Sequence, residues 1–180
     1  MVLKKDKPAS SITIRNARPD EYEELGKLMV RVYSQLEGFP SPAEQPEYYT
    51  MLANIGDLTL RPGAELLVAV SPDEKITGGL VYFKEMKHYG SGGSATRETK
   101  AAGFRLLAVD AEYQGQGIGK MLVRECILKT KKLGLEQLIL HTTQSMKTAW
   151  KMYEGLGFTR SADLDFEQSN LKVLGFRLIL

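Results

Sequence analysis

Apolar residues in the first third of the chain follow two different spacings. Residues 11–18 alternate isoleucine with polar side chains, which predicts a first β-strand. From Pro19 onward apolar residues recur every three or four positions and predict a helix, with Asp20 and Glu23 spaced as a capping box. The predicted buried stripe of this helix comprises Tyr22, Leu25, Met29, Val32 and Leu36. Glycine and prolines then break the pattern, and a short second helix is predicted from Glu47 to Asn54.

The next segments predict a hairpin followed by a loop. Residues 65–70 and 76–86 are rich in apolar and β-branched residues, and the turn formers of 71–75 separate them. Glycine and serine are frequent in the segment 87–100, which predicts a flexible loop. The stretch 104–109 is almost continuously apolar, as in a strand that is covered on both faces.

The last third alternates predicted helices and strands. Helices are predicted at 117–133, where Gly134 ends the helix, and at 146–156, where Ser145 is the predicted N-cap and Gly157 ends the helix. Strands are predicted at 137–141, 158–160 and 173–180. A strand–helix–strand unit implies parallel pairing and a hairpin implies antiparallel pairing. The prediction is therefore an α/β fold with a mixed central sheet of about six to seven strands, flanked by about four helices on both faces.

Composition and charge narrow the class of protein. The 180 residues favour one domain at 11–180, preceded by a short polar N-terminus at 1–10 that is predicted to be flexible and is not a signal peptide. A net charge of +2 argues against a general role at nucleic acids or membranes, and no apolar run approaches the roughly 20 residues that span a bilayer. The single cysteine, Cys126, lies on an apolar helical stripe and is interpreted as a small buried side chain. A cytoplasmic location is expected.

A glycine-rich turn between a strand and a helix is the clearest chemical signal. It comprises Gln114, Gly115, Gln116, Gly117, Ile118, Gly119 and Lys120. Unpaired N–H groups at a helix N-terminus with little side chain around them bind phosphate or pyrophosphate. Two nucleotide motifs fail here. The third glycine of the dinucleotide fingerprint would fall on Lys120, and the P-loop would need Ser or Thr where Met121 stands.

Two motifs carry a resemblance to a known family. The spacing Gln114-x-x-Gly117-x-Gly119 after an apolar strand resembles the acyl-CoA pyrophosphate loop of the GNAT superfamily of N-acyltransferases. The segment 149–158 is similar to the A-x-x-x-Y-x-x-x-G-F signature of that family. The resemblance implies that acetyl-CoA is the donor and that residues 114–120 hold its pyrophosphate. It also implies that the pantetheine arm pairs with Leu107, Ala108 and Val109 like a short extra strand.

The resemblance also assigns catalytic roles. Tyr153 is implied as the acid that protonates the leaving thiolate, and its alternative is a core aromatic residue whose hydroxyl is satisfied. His141 closes a strand twelve residues earlier, where some relatives that act on protein amino termini have a glutamate base. An imidazole with an ordinary pKa near 6.5 suits a general base, directly or through a water, and the alternative is a polar strand end. Two histidines without a cysteine partner give little support to a metal site.

One position departs from the family pattern. Many relatives have asparagine seven residues before the tyrosine, where this chain has Met146. We therefore expect the amide contact to the pantetheine arm to be missing or to come from Thr142, Thr143 or Ser145. A bulge in the strand before the loop is expected to free an N–H group that polarises the thioester carbonyl.

The predicted function is N-acetyl transfer by direct attack of a neutral amine in a ternary complex. Alternatives are an acetyltransferase for protein or peptide amino groups and a non-catalytic acyl-CoA-binding sensor. The acceptor should be bounded by residues 32–60, 87–100 and 161–171. The first of these segments has no Lys or Arg, and its carboxylates are interpreted either as a solvated loop or as an acidic rim for a cationic amine; they are Glu37, Glu44, Glu47 and Asp57. A homodimer is expected from family habit.

Overall fold

The computed structural model of the protein describes residues 11–180, so the N-terminus predicted at 1–10 lies outside the described residues. These residues form eight strands: β1 Thr13–Asn16, β2 Ala64–Val70, β3 Ile76–Phe83, β4 Ala101–Val109, β5 Gln137–Thr142, β6 Thr159–Arg160, β7 Phe166–Gln168 and β8 Leu171–Ile179. The α-helices are α1 Tyr22–Ser34, α2 Pro46–Ala53, α3 Ile118–Lys132 and α4 Lys147–Gly155. No helix within this range combines the length and apolar character needed to cross a bilayer.

The strands form one mixed sheet in the order β1-β2-β3-β4-β5-β8-β6, and β7 pairs with β8. In the described residues β4 and β5 pair in parallel, and the other pairings are antiparallel. The predicted α/β class with helices on both faces is confirmed. The sheet has one strand more than predicted, because β7 is only three residues long and carries no alternating pattern.

Each face of the sheet is covered by two helices and has its own apolar core. We call these the α1 face and the α3 face. Leu25 and Met29 of α1 and Leu52 of α2 are fully buried on the first. Leu122 and Cys126 of α3 are fully buried on the second, together with Phe158 beyond α4. The burial predicted for Cys126 is therefore confirmed, and burial raises the pKa of its thiol well above the ordinary value.

The two central strands separate soon after they meet. Parallel pairing of β4 with β5 is confined to Ala101–Gly103 against Gln137–Ile139. Beyond that point the facing backbones of 104–109 and 140–142 have no ladder between them, although β4 continues to pair with β3 and β5 with β8. An opening in the middle of the sheet results.

A β-bulge lies at the same place in β4. Arg105 pairs with Val81 and Ala108 with Gly79, so Leu106 and Leu107 together face the single residue between them on β3. Leu106 has a φ of +62°, a left-handed conformation that is rare for a branched side chain. The bulge shifts the alternation of side chains, because Leu106 packs in the α1-face core and Leu107 against the α3-face core.

Two predicted helix caps are wrong, whereas the predicted helix ends are confirmed. The backbone N–H of Arg18 donates to the Glu21 carboxylate at 2.8 Å, so Glu21 replaces the predicted pair of Asp20 and Glu23. Ser145 does not cap α4, because its hydroxyl pairs with that of Thr143 at 2.9 Å. Positive φ angles occur just beyond the ends of α3 and α4, at Gly134 (+67°) and Gly157 (+96°).

Glu21 also ties the edge strand β1 to the start of α1. Its two oxygens accept from the guanidinium of Arg15 at 2.7 and 2.8 Å, and these bonds lower the pKa of Glu21 to about 2. We expect Glu21→Gln to lower the free energy of unfolding by about 1–3 kcal/mol at pH 7. Chemical denaturation at several pH values measures this difference.

The sign of the pH dependence follows from the lowered pKa. Because the folded pKa is about 2 and the unfolded value about 4.5, the stabilisation is complete above pH 5 and is lost as the pH falls towards 2. The difference between wild type and Glu21→Gln should therefore shrink over that range. Glu23→Gln is the matched control, since Glu23 is exposed and its ion-pair partner among the described residues is Lys27 on the same helix. Equal losses for both variants would contradict the assignment of Glu21 as the cap.

Candidate active site

A cavity opens where β4 and β5 separate and reaches both faces of the sheet. Its lining includes Tyr33 from α1 and Tyr153 from α4. The three segments predicted to bound the acceptor all contribute, for example through Tyr48, Ser91 and Phe166. The full lining is Tyr33, Phe39, Pro40, Gln45, Tyr48, Ser91, Phe104, Arg105, Leu106, Leu107, His141, Thr142, Thr143, Met146, Ala149, Tyr153, Phe166, Gln168, Leu171 and Val173.

The glycine-rich turn has the geometry of an anion cradle. Gly117 is the N-cap of α3, and the Met121 N–H makes the bond to its carbonyl at 3.0 Å, so the earlier N–H groups of the first turn have no acceptor within the helix. Gly115 and Gly117 have φ angles of +78° and +79°, which other residues adopt only with strain. A Cβ at either position would meet no atom within 4 Å, so the backbone is open to close approach by a ligand.

The cradle is electrostatically suited to an anion and adjoins the central strand. The first turn of α3 contains no acidic residue, and Lys120 adds a positive charge to the positive end of the helix dipole. Gly119 packs close to β4, since a Cβ there would lie 3.7 Å from Val109 and 3.8 Å from Leu107. A pyrophosphate in the cradle would therefore lie at the end of the strand segment 107–109. The residues present fit acyl-CoA in this respect.

Tyr153 is one of the residues that line the cavity. The residue is 4% exposed, and its ring packs against Phe104, Phe158 and Phe176 with centroid separations of 6.0, 6.0 and 6.5 Å. No group within residues 11–180 hydrogen-bonds the hydroxyl, and the oxygen is not fully enclosed. Burial raises the pKa of Tyr153, so the phenol keeps its proton near neutral pH.

His141 lines the cavity with both ring nitrogens engaged. Nε2 lies 2.8 Å from the carbonyl of Leu164, which can only accept, so this nitrogen carries the proton. Nδ1 lies 3.0 Å from the Tyr89 hydroxyl and therefore accepts from it. Burial lowers the pKa of His141, so the imidazole is neutral near neutral pH. Tyr89 is itself fully buried, and its hydroxyl also lies 3.4 Å from the carbonyl of Phe104.

The family asparagine position is occupied by a residue with a different local role. Met146 is the N-cap of α4 and lines the cavity, and its sulfur accepts from the Thr142 hydroxyl at 3.4 Å. Thr143 and Ser145 pair their hydroxyls with each other. The three hydroxyls named as possible substitutes for the amide are therefore at the cavity or beside it, and each has an internal partner.

Several cavity residues were absent from the sequence prediction. Tyr33, Phe39 and Tyr48 form an edge-to-face aromatic group, and the Tyr33 hydroxyl donates to the Leu107 carbonyl at 3.1 Å. The sequence prediction gives Arg105 no role, because it is the single charged residue in the otherwise apolar stretch 104–109. The available signals were the density of aromatic residues between 33 and 49 and a lone arginine in a buried strand.

The carboxylates predicted as an acidic rim do not line the cavity. Glu44 is exposed and accepts from the backbone N–H of Ser41 at 2.7 Å, which closes its own turn. Asp57 borders a separate shallow recess beside Tyr22. Glu37 and Glu47 are exposed, and none of the four is part of the lining. The interpretation as a solvated loop fits these positions. Within residues 11–180 no three His, Cys, Asp or Glu side chains come together as a metal site requires.

Comparisons with known proteins agree with this geometry. The family model for the acetyltransferase (GNAT) family matches residues 29–158. N-alpha-acetyltransferase 30 of Xenopus laevis is 39% identical over 59 residues, which are 33% of this chain and 22% of that protein. The matched segment therefore covers about a fifth of the length of that relative.

Solved structures share the whole fold. An acetyltransferase of the GNAT family from Staphylococcus aureus Mu50 superposes with a TM-score of 0.72 at 19% identity, covering 94% of this chain and 99% of the other. PaiA N-acetyltransferase from Thermoplasma acidophilum, solved in complex with coenzyme A, gives a TM-score of 0.71 at 17% identity, with 92% and 98% covered. The matched residues 29–158 are more than half of the chain and include both motifs. The chain therefore belongs to the acetyltransferase (GNAT) family.

Proposed function

We propose that the protein transfers an acetyl group from acetyl-CoA to a primary amine by direct attack in a ternary complex. The observation that carries the proposal is Tyr153, which lines the cavity between the parted strands and whose protonated hydroxyl lacks a protein partner in residues 11–180. A proton donor at this place suits a reaction in which a thiolate leaves. The anion cradle at the end of β4 supports the same donor.

Residues of the cradle and of β4 hold the donor in this proposal. The backbone N–H groups from 114 to 120 bind the pyrophosphate, and Lys120 adds charge. The edge of β4 from Leu107 to Val109 faces the opening, because β5 no longer pairs there, and it can pair with the amides of a pantetheine arm. Acetyl-CoA, when bound, supplies an acetyl group already activated as a thioester. Positioning then provides much of the rate.

The bulge in β4 supports a role in stabilising negative charge. Two residues of β4 face one residue of β3, so the regular ladder is interrupted at Leu106 and Leu107. The Leu107 carbonyl is already satisfied by the Tyr33 hydroxyl. In the proposal, a backbone N–H group that loses its ladder partner at the bulge donates to the thioester oxygen, where negative charge develops during attack.

His141 is proposed as the base in its neutral form. A proton can enter at Nδ1 if the Tyr89 hydroxyl turns its own proton to the Phe104 carbonyl and then accepts from Nδ1–H. This exchange leaves both ring nitrogens hydrogen-bonded in the charged form. The amine acceptor loses its proton along this route, or through a water next to the ring, and Tyr153 protonates the sulfur.

Two other functions remain as explicit alternatives. The relatedness to an N-alpha-acetyltransferase over a third of the chain favours a protein or peptide amino terminus as the acceptor. A sensor would bind acetyl-CoA without transferring the acetyl group. Incubation with acetyl-CoA and a panel of amines and short peptides, while free thiol is followed, separates these cases. Binding of acetyl-CoA without thiol release above the amine-free rate would contradict the proposed transfer.

The cradle can be tested with a matched pair of glycines at the two ends of α3. We expect Gly117→Ala to weaken coenzyme A binding at least tenfold, because a side chain at positive φ distorts the N–H groups that face the pyrophosphate. Gly134→Ala carries the same backbone strain of about 1–2 kcal/mol, also in open space, but lies at the far end of the helix. Isothermal titration calorimetry with coenzyme A measures both. Equal affinities for the two variants would exclude the cradle as the pyrophosphate site.

The proton donor can be tested with Tyr153→Phe. The substitution keeps the ring that packs on Phe104, Phe158 and Phe176 and removes only the hydroxyl. We expect kcat to fall at least tenfold while KM for acetyl-CoA changes little, since the hydroxyl acts on the leaving group. Unchanged kcat would remove Tyr153 from the mechanism.

The base can be tested by the pH profile of kcat/KM. Because burial lowers the pKa of His141, activity should rise with pH through a value below 6.5 and then follow the ionisation of the amine. His141→Gln should lower the rate at least tenfold and remove the lower limb of the profile. If His141 only positions Leu164 and Tyr89, the variant will lose activity, but its kcat/KM will still fall at low pH as in the wild type.

A further inference from the structure

The cavity lining carries a positive charge and no negative one. Among the described residues, Arg105 is the charged side chain of the lining, and no aspartate or glutamate belongs to it. Its neighbours are aromatic or apolar, including Tyr33, Tyr48 and Phe166. A cavity of this composition favours a ligand that combines an anionic group with an apolar body.

Arg105 has no carboxylate partner within residues 11–180. Its Nη1 donates to the backbone carbonyls of Tyr89 at 3.0 Å and Gly90 at 3.4 Å, which leaves its charge uncompensated. Two other partly buried arginines, Arg160 and Arg177, differ. Arg160 binds Asp165 at 2.8 Å, and Arg177 binds Glu98 at 2.8 Å and also Asp163. A guanidinium presents five donors in a planar fork, and the remaining donors of Arg105 can bind an anion from the cavity side.

A second guanidinium approaches the same place. Arg61 donates from Nη1 to the carbonyl of His88 at 3.2 Å, and it too has no carboxylate partner among the described residues. A Cβ at residue 90 would collide with Nη1 of Arg61 and lie 3.2 Å from Nη1 of Arg105, so both cations flank Gly90. Burial and the nearby charge of Arg105 lower the pKa of Arg61. Two neighbouring cations without a counter-ion are destabilising unless an anion joins them.

This charge does not belong to the coenzyme cradle. Arg105 pairs with Val81 and Val109 pairs with Gly78, so three residue steps along β3, or about 10 Å at 3.3 Å per residue, separate Arg105 from the end of β4. Arg105 also lies against Tyr89, 5.8 Å from the ring centroid, and Tyr89 belongs to the α1-face core. The cradle begins α3, whose buried residues belong to the α3-face core. The arginine therefore serves the acceptor side of the cavity.

We propose that the acceptor amine carries a carboxylate on an adjacent carbon, as in an α-amino acid with an apolar or aromatic side chain, and that Arg105 binds that carboxylate. The inference rests on the proposed acetyl transfer and names its acceptor class. Arg105 positions the acceptor so that its amine faces the gap between His141 and Tyr153, while the aromatic group at Tyr33 and Tyr48 contacts the side chain. Arg61 reinforces the positive potential from behind Gly90. A polyamine is disfavoured, because its second cation would meet Arg105 in a cavity whose described lining residues include no carboxylate.

Matched pairs of acceptors isolate the carboxylate. L-phenylalanine, L-leucine and L-methionine are each compared with the amine obtained by removing the carboxyl group, namely phenethylamine, isoamylamine and 3-(methylthio)propylamine. Spermidine is added as a cationic acceptor. Thiol release from acetyl-CoA is measured, and rates are expressed per neutral amine, since the carboxylate also changes the amine pKa. We expect kcat/KM to be about 10- to 100-fold higher for at least one amino acid than for its decarboxylated partner.

Variants test the residue. Arg105→Gln should lower kcat/KM for the preferred amino acid, relative to kcat/KM for its decarboxylated amine, about 10- to 100-fold, mainly through KM for the amino acid. Arg105→Lys should retain part of the preference, because it keeps the charge but not the fork. Arg124→Gln is the matched control: it removes the same charge from an exposed position of α3 outside the cavity lining. Equal preference in wild type and Arg105→Gln would overturn the assignment of Arg105.

The outcomes separate this inference from the proposed function. If the decarboxylated amines or spermidine are acetylated as fast as the amino acids, the carboxylate assignment is overturned and acetyl transfer stands. If neither these acceptors nor the short peptides of the earlier panel release thiol, acetyl transfer is overturned. Calorimetry with the three amino acids and their amines on the coenzyme A complex then decides recognition separately. Amino-acid binding that is lost in Arg105→Gln supports the inference, and absence of such binding in wild type overturns it.

Discussion

The structure depends on the early end of hydrogen bonding between β4 and β5. Three residue pairs join the strands, and beyond Gly103 and Ile139 their facing edges are free. Backbone groups that lose a ladder need other partners. Tyr33 is such a partner, since it donates to the Leu107 carbonyl. The Tyr89 hydroxyl lies 3.4 Å from the Phe104 carbonyl but donates its proton to His141 Nδ1. Side chains thus lie where continued hydrogen bonding between β4 and β5 would have closed the gap. The cavity and every residue assigned a role in it follow from that separation.

The bulge allows one strand to serve both faces of the gap. Without it, Leu106 would turn to the α3 face and Leu107 to the α1 face by strict alternation. Arg105 precedes the bulge and lies against Tyr89 on the α1 face, whereas the bulge turns Leu107 to the α3-face core next to the glycine turn. The left-handed conformation of Leu106 is the local strain that this arrangement requires. The proposed coenzyme side and the proposed amine side of the cavity are therefore formed by the same strand, β4, on opposite faces of the sheet.

Much of this arrangement follows from local sequence rules, and the exceptions are cases where a distant contact decides. Periodicity predicts the four helices and seven of the eight strands, and Gly134 and Gly157, which the sequence predicts as helix ends, have positive φ angles. The cap of α1 was mispredicted because Asp20 and Glu23 have the standard spacing, whereas Glu21 gains Arg15 from a neighbouring strand. Likewise the charge of Arg105 is unpaired only because the fold brings no carboxylate to it among the described residues, which spacing does not encode.

Tyr153 and His141, the two ionisable groups at the centre of the cavity, differ in how the surrounding protein holds them. Burial is the main reason that Tyr153 stays protonated and His141 neutral at the same pH, which are the states that the proposed proton donor and proton acceptor need. Their hydrogen bonds differ, however. Tyr153 has none within the described residues, whereas His141 is held by Leu164 on one side and Tyr89 on the other. Proton donation at Tyr153 needs only a substrate atom in reach, but proton uptake at His141 requires the Tyr89 hydroxyl to change partners. In that step the Tyr89 hydroxyl donates to the Phe104 carbonyl of β4 instead of to His141. Proton uptake at His141 is therefore coupled to a backbone group at the edge of the gap.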